Sequence, residues 1–409
     1  MQLFPKKVEW GFRFTGVFSF LFFFVVVILN GWSGDARRWA VGGLKDGDLV
    51  QHYAAGVLWK KNQMNAIYQN YQLGQWVNDW RKDLNSKKKL NRFNYVYSPL
   101  IAWGAGKLTV APFEWWLKGW FFISIACYGA ALVFLFCSLQ WKRPPLSLIL
   151  VAAGFPSLYY TLIPSQNTTL TLLILSAAAL FLTQKKNWLA GLVLSCAFYK
   201  PQFAPYWGLF LFLCGDWKTT LGLIAGSLGW LGLSLVICGV EANRLWIESL
   251  IFMMRGDQFV LQGLNQSWTG FFLSVFPEWP RSLSALCAHS VALMILAWLV
   301  FKIRALKKRG AWNESFTLWV AAFWYLLASA YVGHYEILLG LPWWLICIQR
   351  SQWTWPQVLL TAMFWLLSLF SISGLLTGVS FSSMFTTAFV IGTMIVFVRT
   401  PIALDFKSR

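Results

Sequence analysis

Carboxylates are scarce in this sequence. Its 409 residues hold 15 Asp and Glu against 34 Lys and Arg, and only 3 His. Few acids leave few candidates for proton transfer or metal binding. Charge of either sign is thin as well: 12% of residues are charged and 58% are hydrophobic, which excludes an ordinary water-soluble domain. Paired cysteine spacing is missing. The 7 cysteines form no C-x-x-C, so neither a disulfide framework nor a thiolate zinc site is implied. The net charge of +19 does not point to nucleic acid, because much of the excess sits in short loops between apolar runs. A leader-type cleavage site is absent too. Lys6, Lys7 and Arg13 precede the run Phe14–Leu29 as in a secretory signal, but no A-x-A follows and further apolar runs do, so the run reads as a retained first helix.

Long apolar runs are what the chain has in abundance. Mean hydropathy is +0.55, and 27 Trp, 35 Phe and 13 Tyr supply rings suited to both membrane interfaces and to a wide cavity. The expected fold is an all-α polytopic membrane protein, one domain over 1–409. With a full crossing taking roughly 20 residues, the runs give about twelve spans. These lie near Phe14–Leu29, Trp115–Leu139, Leu146–Ile163, Thr168–Thr183, Trp188–Tyr199, Phe203–Cys214, Thr219–Cys238, Leu283–Phe301, Phe316–Tyr331, Ile337–Ile348, Pro356–Phe370 and Met384–Val398. Lys142, Arg143, Lys185, Lys186, Lys218, the cluster Lys302 to Arg309, Arg350 and Arg399 then fall on the same side as the N-terminal lysines. By the positive-inside rule that side is the cytoplasm, with both termini inside a plasma (inner) membrane. Two outer loops are long, 31–114 and 239–281. The first contains a helix-like polar stretch Tyr71–Trp80 and a basic stretch Arg81–Arg92, read as a solvated surface in preference to an anionic-lipid contact. The second contains Asn265-Gln266-Ser267-Trp268 and the apolar piece Phe271–Phe276, too short to span and therefore interfacial or re-entrant.

Nearly all of the unusual polar residues map to the outer side. Asp46 and Asp48 stand at the membrane edge, with Gly47 breaking the chain and a helix beginning near Asp48 that sets Asp48, His52 and Trp59 roughly on one face. Asp48 admits two readings, an N-cap or an acid–base group. Trp188–Tyr199 and Phe203–Cys214 are each about 18 Å long at 1.5 Å per residue, against a hydrocarbon core of about 30 Å. Their junction, Tyr199-Lys200-Pro201-Gln202, is thereby sunk below the outer surface, where a lysine faces a hydrated cavity or snorkels to headgroups. Tyr97-Ser98-Pro99, Ser165-Gln166-Asn167, Asn265-Gln266-Ser267 and His334-Tyr335-Glu336 share that side. Each has a plain local explanation as a turn, cap or anchor, and His334 also reads as an interfacial histidine satisfied by water. Their confinement to one face argues for a site.

The order Asp48…Tyr53-Ala54-Ala55, Tyr95-Val96-Tyr97-Ser98-Pro99, Gln166, Lys200-Pro201, Asn265-Gln266-Ser267, His334-Tyr335 resembles glycosyltransferase family 87, of the GT-C fold, over Asp46 to Glu336. It departs at Ser98-Pro99, where that family has two prolines, and at Ser165, where it has glycine. The resemblance implies inverting transfer of a monosaccharide, mannose favoured, from a polyprenyl-phosphate-linked donor to a glycolipid or glycan hydroxyl at the extracytoplasmic face. It implies Asp48 as general base and His334 at the phosphate or beside the base. Lys200 would stabilise the leaving phosphate, with Asp46, His52, Tyr53, Tyr97, Gln166, Asn167, Asn265, Gln266 and Tyr335 binding substrate. Membrane lipids are the expected surroundings, and no cofactor or metal is expected: Asp46-Gly47-Asp48 looks like a D-x-D, but two acids alone make a poor metal site. The rival class is a transporter or flippase of a lipid-linked or polar solute, with Asp48, Lys200 and His334 forming an ion pathway. It predicts an inverted repeat, which the sequence does not display.

Overall fold

A computed structural model describes residues 6–31, 48–68, 70–81, 95–141, 144–254, 265–329, 332–350, 364 and 382–399. They form 17 α-helices: α1 Lys6–Gly31, α2 Leu49–Lys60, α3 Met64–Tyr68, α4 Asn70–Arg81, α5 Pro99–Leu108, α6 Phe113–Ser138, α7 Leu146–Ala153, α8 Pro156–Leu162 and α9 Thr168–Thr183, then α10 Asn187–Ser195, α11 Phe203–Leu213, α12 Trp217–Met254, α13 Trp268–Val275, α14 Arg281–Lys308, α15 Glu314–Ala328, α16 Leu341–Arg350 and α17 Ser382–Arg399. Short 3-10 segments at Cys196–Tyr199 and His334–Gly340 extend α10 and precede α16. The fold is all-helical, as the apolar runs predict.

The expected twelve spans are not twelve full crossings. Among the described residues three helices are long and apolar enough to cross a membrane: Phe113–Ser138, Trp217–Phe252 within α12, and Arg281–Lys308. The other expected spans that fall on described residues are mostly shorter and broken. Leu146–Ile163 is two helices, divided where Pro156 occupies the first turn of α8. The pair of a-dozen-residue helices around Lys200 is present as Asn187–Tyr199 and Phe203–Leu213. Pro356–Phe370 lies outside the described residues save Phe364. The second long loop also differs from expectation, since helix resumes beyond the kink at Gly239 (φ 81, ψ 168) and runs to Met254. Only glycine adopts that φ without strain.

Burial explains why short helices suffice. Every residue of α15 from Ser315 to Ala328 is buried, so this helix, apolar on all sides, sits at the centre of the bundle against α9, α11, α14, α16 and α17. The long helices face outward, with Phe122, Val236 and Phe301 exposed as lipid-facing residues should be. A central helix surrounded by protein need not span hydrocarbon, and its polar ends can lie at depth. Close approach is set by glycine where α10 crosses α12: a Cβ on Gly191 would overlap the Thr219 carbonyl, and one on Gly222 the Trp188 carbonyl.

The bundle has two polar poles. α9 runs from its N-cap Asn167 through Thr168 to Thr183, whose hydroxyl donates to the Ser138 carbonyl at the end of α6. α10 returns from Asn187, bonded to Glu314 Oε2 at 3.0 Å, to Tyr199 and Lys200. Lys185, Lys186 and Lys218 cluster at the Asn187 end with Glu314. The described residues among those singled out in the sequence, Tyr53 apart, gather at the other end.

Candidate active site

The site is built on the extended segment Tyr95–Ser98, which carries no helix of its own and is clasped from both sides. Trp246 Nε1 donates to the Val96 carbonyl at 3.1 Å, Trp230 Nε1 to Ser98 Oγ at 3.0 Å, and the Tyr68 hydroxyl to the Tyr97 carbonyl at 3.3 Å. Tyr97 is thereby fixed with its ring buried. Asn167 Nδ2 donates to the Tyr97 hydroxyl at 2.9 Å, and the ring stacks on Tyr199 at 6.2 Å and 10°. Burial pushes the Tyr97 phenol well above its ordinary range, with the charge of Asp48 acting in the same direction. It is a neutral hydroxyl at any physiological pH.

Asp48 begins α2, yet it does not cap it: its side chain makes no cap hydrogen bond. Its backbone N–H donates to the Pro164 carbonyl at 3.2 Å, tying the start of α2 to the turn between α8 and α9. From there the Asp48 charge acts on both Tyr97 and Glu336. One turn on, His52 lies edge-on to Tyr97 at 4.2 Å, and its Nδ1 is 3.2 Å from the Tyr95 hydroxyl, either group able to donate. Burial, then the nearby Lys200 charge, push His52 down to about 3, so it stays neutral. The next residue points elsewhere. Tyr53 packs into an aromatic cluster with Trp76, Phe113 and Trp116 between α2, α4 and α6, away from the other candidates. The cause is the helix itself, which rotates about 100° per residue.

Ser165 holds a left-handed conformation with φ 51 while buried. Such a conformation costs a non-glycine residue roughly 1–2 kcal/mol, which is the physical reason a glycine suits this position. The turn it makes sets Gln166 and Asn167 side by side. The Gln166 carbonyl accepts from Trp120 Nε1 at 3.2 Å, and the Asn167 carbonyl accepts from the Tyr199 hydroxyl at 3.3 Å. Both side-chain oxygens, Gln166 Oε1 and Asn167 Oδ1, are buried without a hydrogen-bond partner among the described residues. Buried acceptors left open in this way suit hydroxyl donors of a ligand.

Lys200 follows the 3-10 turn that ends α10 and is buried. Its Nζ lies 3.8 Å from Glu336 Oε1 and 5.8 and 5.7 Å from the ring centres of Tyr97 and Tyr335. Glu336 is held independently, accepting from the Tyr325 hydroxyl at 3.4 and 3.3 Å and from the Gly333 N–H at 3.2 Å. His334 sits between the rings of Tyr160 and Tyr335, at 5.3 and 5.5 Å. Asn265 and Gln266 join this turn through backbone geometry. Gln266 N–H donates to the Val332 carbonyl at 2.8 Å, while Asn265 Oδ1 accepts from the N–H groups of Val332 at 3.0 Å and Ser267 at 3.1 Å. The Asn265 amide carbonyl is therefore occupied in pinning the His334–Glu336 turn. Asp46 lies outside the described residues. Among those residues no group of three His, Cys, Asp or Glu could hold a metal ion.

The model of glycosyltransferase family 87 matches residues 95–330, more than half of the chain. This chain belongs to glycosyltransferase family 87. No curated protein and no solved structure matches it. The glycosyltransferase match takes in Tyr97, Gln166, Asn167, Lys200, Asn265 and Gln266, but Asp48, His52, His334 and Tyr335 fall outside it. The fold is what joins the two sets: α2 from one side and the His334–Glu336 turn from the other converge on Lys200 and Tyr97. Sequence reasoning named Glu336 as an outer acid without giving it a role, and it missed Tyr199 and Tyr325 within the candidate site. A carboxylate bordering an apolar run, in a chain so poor in acids, was the available signal for Glu336.

Proposed function

We propose that this glycosyltransferase moves a monosaccharide, with mannose favoured, from a polyprenyl-phosphate donor to a hydroxyl of a glycolipid or glycan. The observation that carries the reading is that one carboxylate, Asp48 at the start of α2, and one buried cation, Lys200, both bear on the fixed Tyr97 ring. Asp48 takes the proton of the acceptor hydroxyl as its oxygen attacks the anomeric carbon. The bond from that carbon to the phosphate oxygen breaks on the opposite side, and its electron pair leaves with the phosphate beside Lys200, with inversion. His334 borders the same space from its aromatic seat and lies ready for the phosphate. Gln166 Oε1 and Asn167 Oδ1 accept from sugar hydroxyls. A lysine supplies the charge that a divalent ion gives in other sugar transferases, and the reaction is proposed to run without a metal.

The site faces the extracytoplasmic side. Support for this orientation comes from the lysines at the opposite pole, Lys185, Lys186 and Lys218, which the positive-inside rule assigns to the cytoplasm. A cysteine placed at Lys88 should be labelled from outside; labelling only from the cytoplasm would overturn the orientation. The activity itself is tested with purified protein in detergent, a synthetic polyprenyl-phosphate sugar and excess chelator. Transfer with inverted anomeric configuration is the expected result. Abolition by chelator and rescue by magnesium or manganese would defeat the metal-free mechanism. No transfer in detergent, with substrate movement seen only in sealed vesicles, would favour a transporter. Mass spectrometry of glycolipids and surface glycans lost on gene deletion identifies sugar and acceptor.

A further inference from the structure

The Lys200–Glu336 pair is buried on both sides, with side-chain exposures of 5% and 4%, yet its charged atoms stand 3.8 Å apart. No hydrogen bond closes that gap. Both carboxylate oxygens of Glu336 are already engaged, by the Tyr325 hydroxyl and the Gly333 N–H. Glu336 therefore keeps its place whether or not Lys200 is near. The Lys200 ammonium, by contrast, makes no hydrogen bond among the described residues and rests over the faces of Tyr97 and Tyr335. A buried ammonium needs a counter-charge, but one locked in a tight bidentate contact could not be given up to a ligand. This pair meets the first need and avoids the second.

We propose that Glu336 is an internal counter-ion that competes with the prenyl phosphate for Lys200, and that it sets how readily the phosphate product leaves. The inference rests on the polyprenyl-phosphate reading above. A sugar-linked phosphodiester carries one negative charge. After transfer the breaking bond leaves its electron pair on the phosphate oxygen, so the monoester carries up to one charge more, while the acceptor proton resides on Asp48. Lys200 alone would hold this product more tightly than the donor. The fixed Glu336 charge opposes that gain and takes Lys200 back as the product departs. Glu336 acts through Lys200 and is a positioning residue rather than a catalytic one.

Farnesyl phosphate, a soluble prenyl monophosphate, is the probe, titrated by calorimetry into the detergent-purified protein, Glu336→Gln, Lys200→Met and the double variant. The unaltered protein should bind it. Glu336→Gln should bind it more tightly, within the range of about 5- to 150-fold typical of coupled sites. The same variant should show stronger product inhibition and a lower kcat without a higher donor KM. Lys200→Met should bind weakly, and adding Glu336→Gln to it should change nothing further. That loss of effect is a result a purely structural glutamate would not give. If Glu336→Gln fails to fold, Glu336→Asp, which withdraws the carboxylate by one methylene, should tighten binding by a smaller factor. Unchanged or weaker binding in the folded variant, with normal binding by the unaltered protein, overturns the competition. No binding by the unaltered protein overturns the prenyl-phosphate reading, and this inference with it.

Discussion

Two acid–lysine pairs, one buried and one partly exposed, stand at opposite poles of this glycosyltransferase, and they are built differently. At the basic pole Lys307 Nζ lies 2.8 Å from Asp216 Oδ2 and donates to the Cys214 carbonyl at 3.1 Å. It fastens the end of α14 to the loop joining α11 and α12. Across the bundle Lys200 Nζ and Glu336 Oε1 are further apart, at 3.8 Å, and the ammonium has no hydrogen bond among the described residues. The structural pair uses its donors; the pair proposed to serve a ligand leaves those of its lysine open. Slack in the Lys200–Glu336 pair, more than the pair's existence, is what supports the proposed site at that end of the molecule.

The sharpest break of this symmetry is expected from Asp48→Asn. Because Asp48 makes no cap hydrogen bond, the variant should insert and melt like the parent. Its transfer rate should fall by at least about a hundredfold, the lower end of general-base contributions. Asp46→Asn is the internal control and should be milder. Near-normal turnover in Asp48→Asn would move the search for the base to its neighbours.

Lys200→Met comes next. A hydrogen bond to a charged group is worth about 1.5–3 kcal/mol, so donor KM should rise by roughly one to two orders of magnitude with little change in melting temperature. Full activity at low donor concentration would reduce Lys200 to an anchor. At the other pole the outcome should reverse: Asp216→Asn weakens the clasp and should lower stability by about 2 kcal/mol, less than the roughly 3–5 kcal/mol of fully buried pairs, since Lys307 is 22% exposed. Thermal unfolding in detergent reads it, and folded protein should keep its turnover. A catalytic defect in Asp216→Asn without loss of stability would erase the distinction between the poles.

The smallest effects concern the aromatic wall. Tyr97→Phe removes the acceptor of Asn167 Nδ2 and should cost about 1 kcal/mol, seen as a several-fold loss of activity. His52, held down to about 3, is neutral across the working range. The pH–rate profile between about 5 and 8 should therefore keep its shape in His52→Gln. A lost inflection in that variant would mean that His52 titrates in the working enzyme.

Hydropathy and loop charge were enough to read the class of this protein. The apolar runs, the two dozen-residue helices around Lys200, the helix at Tyr71–Trp80 and the polar segments that now form one pole were all legible, because each depends on residues close in sequence. Crossing length was less so. Breaks at Pro156 and Gly239 depend on what packs alongside, and a helix such as α15 is free to stay short only because protein surrounds it. Which side chains meet was decided by tertiary structure alone. Tyr53 and His52 are adjacent in sequence, but α6 draws one into an aromatic cluster while Tyr95 and Tyr97 enclose the other. Asn265, an apparent ligand for sugar, spends its carbonyl oxygen on Val332 and Ser267. Lys200 and Glu336 become partners only where the end of α10 meets the turn pinned by Asn265. Local pattern carries no information about such a meeting, since it fixes periodicity and burial but not which helix lies opposite.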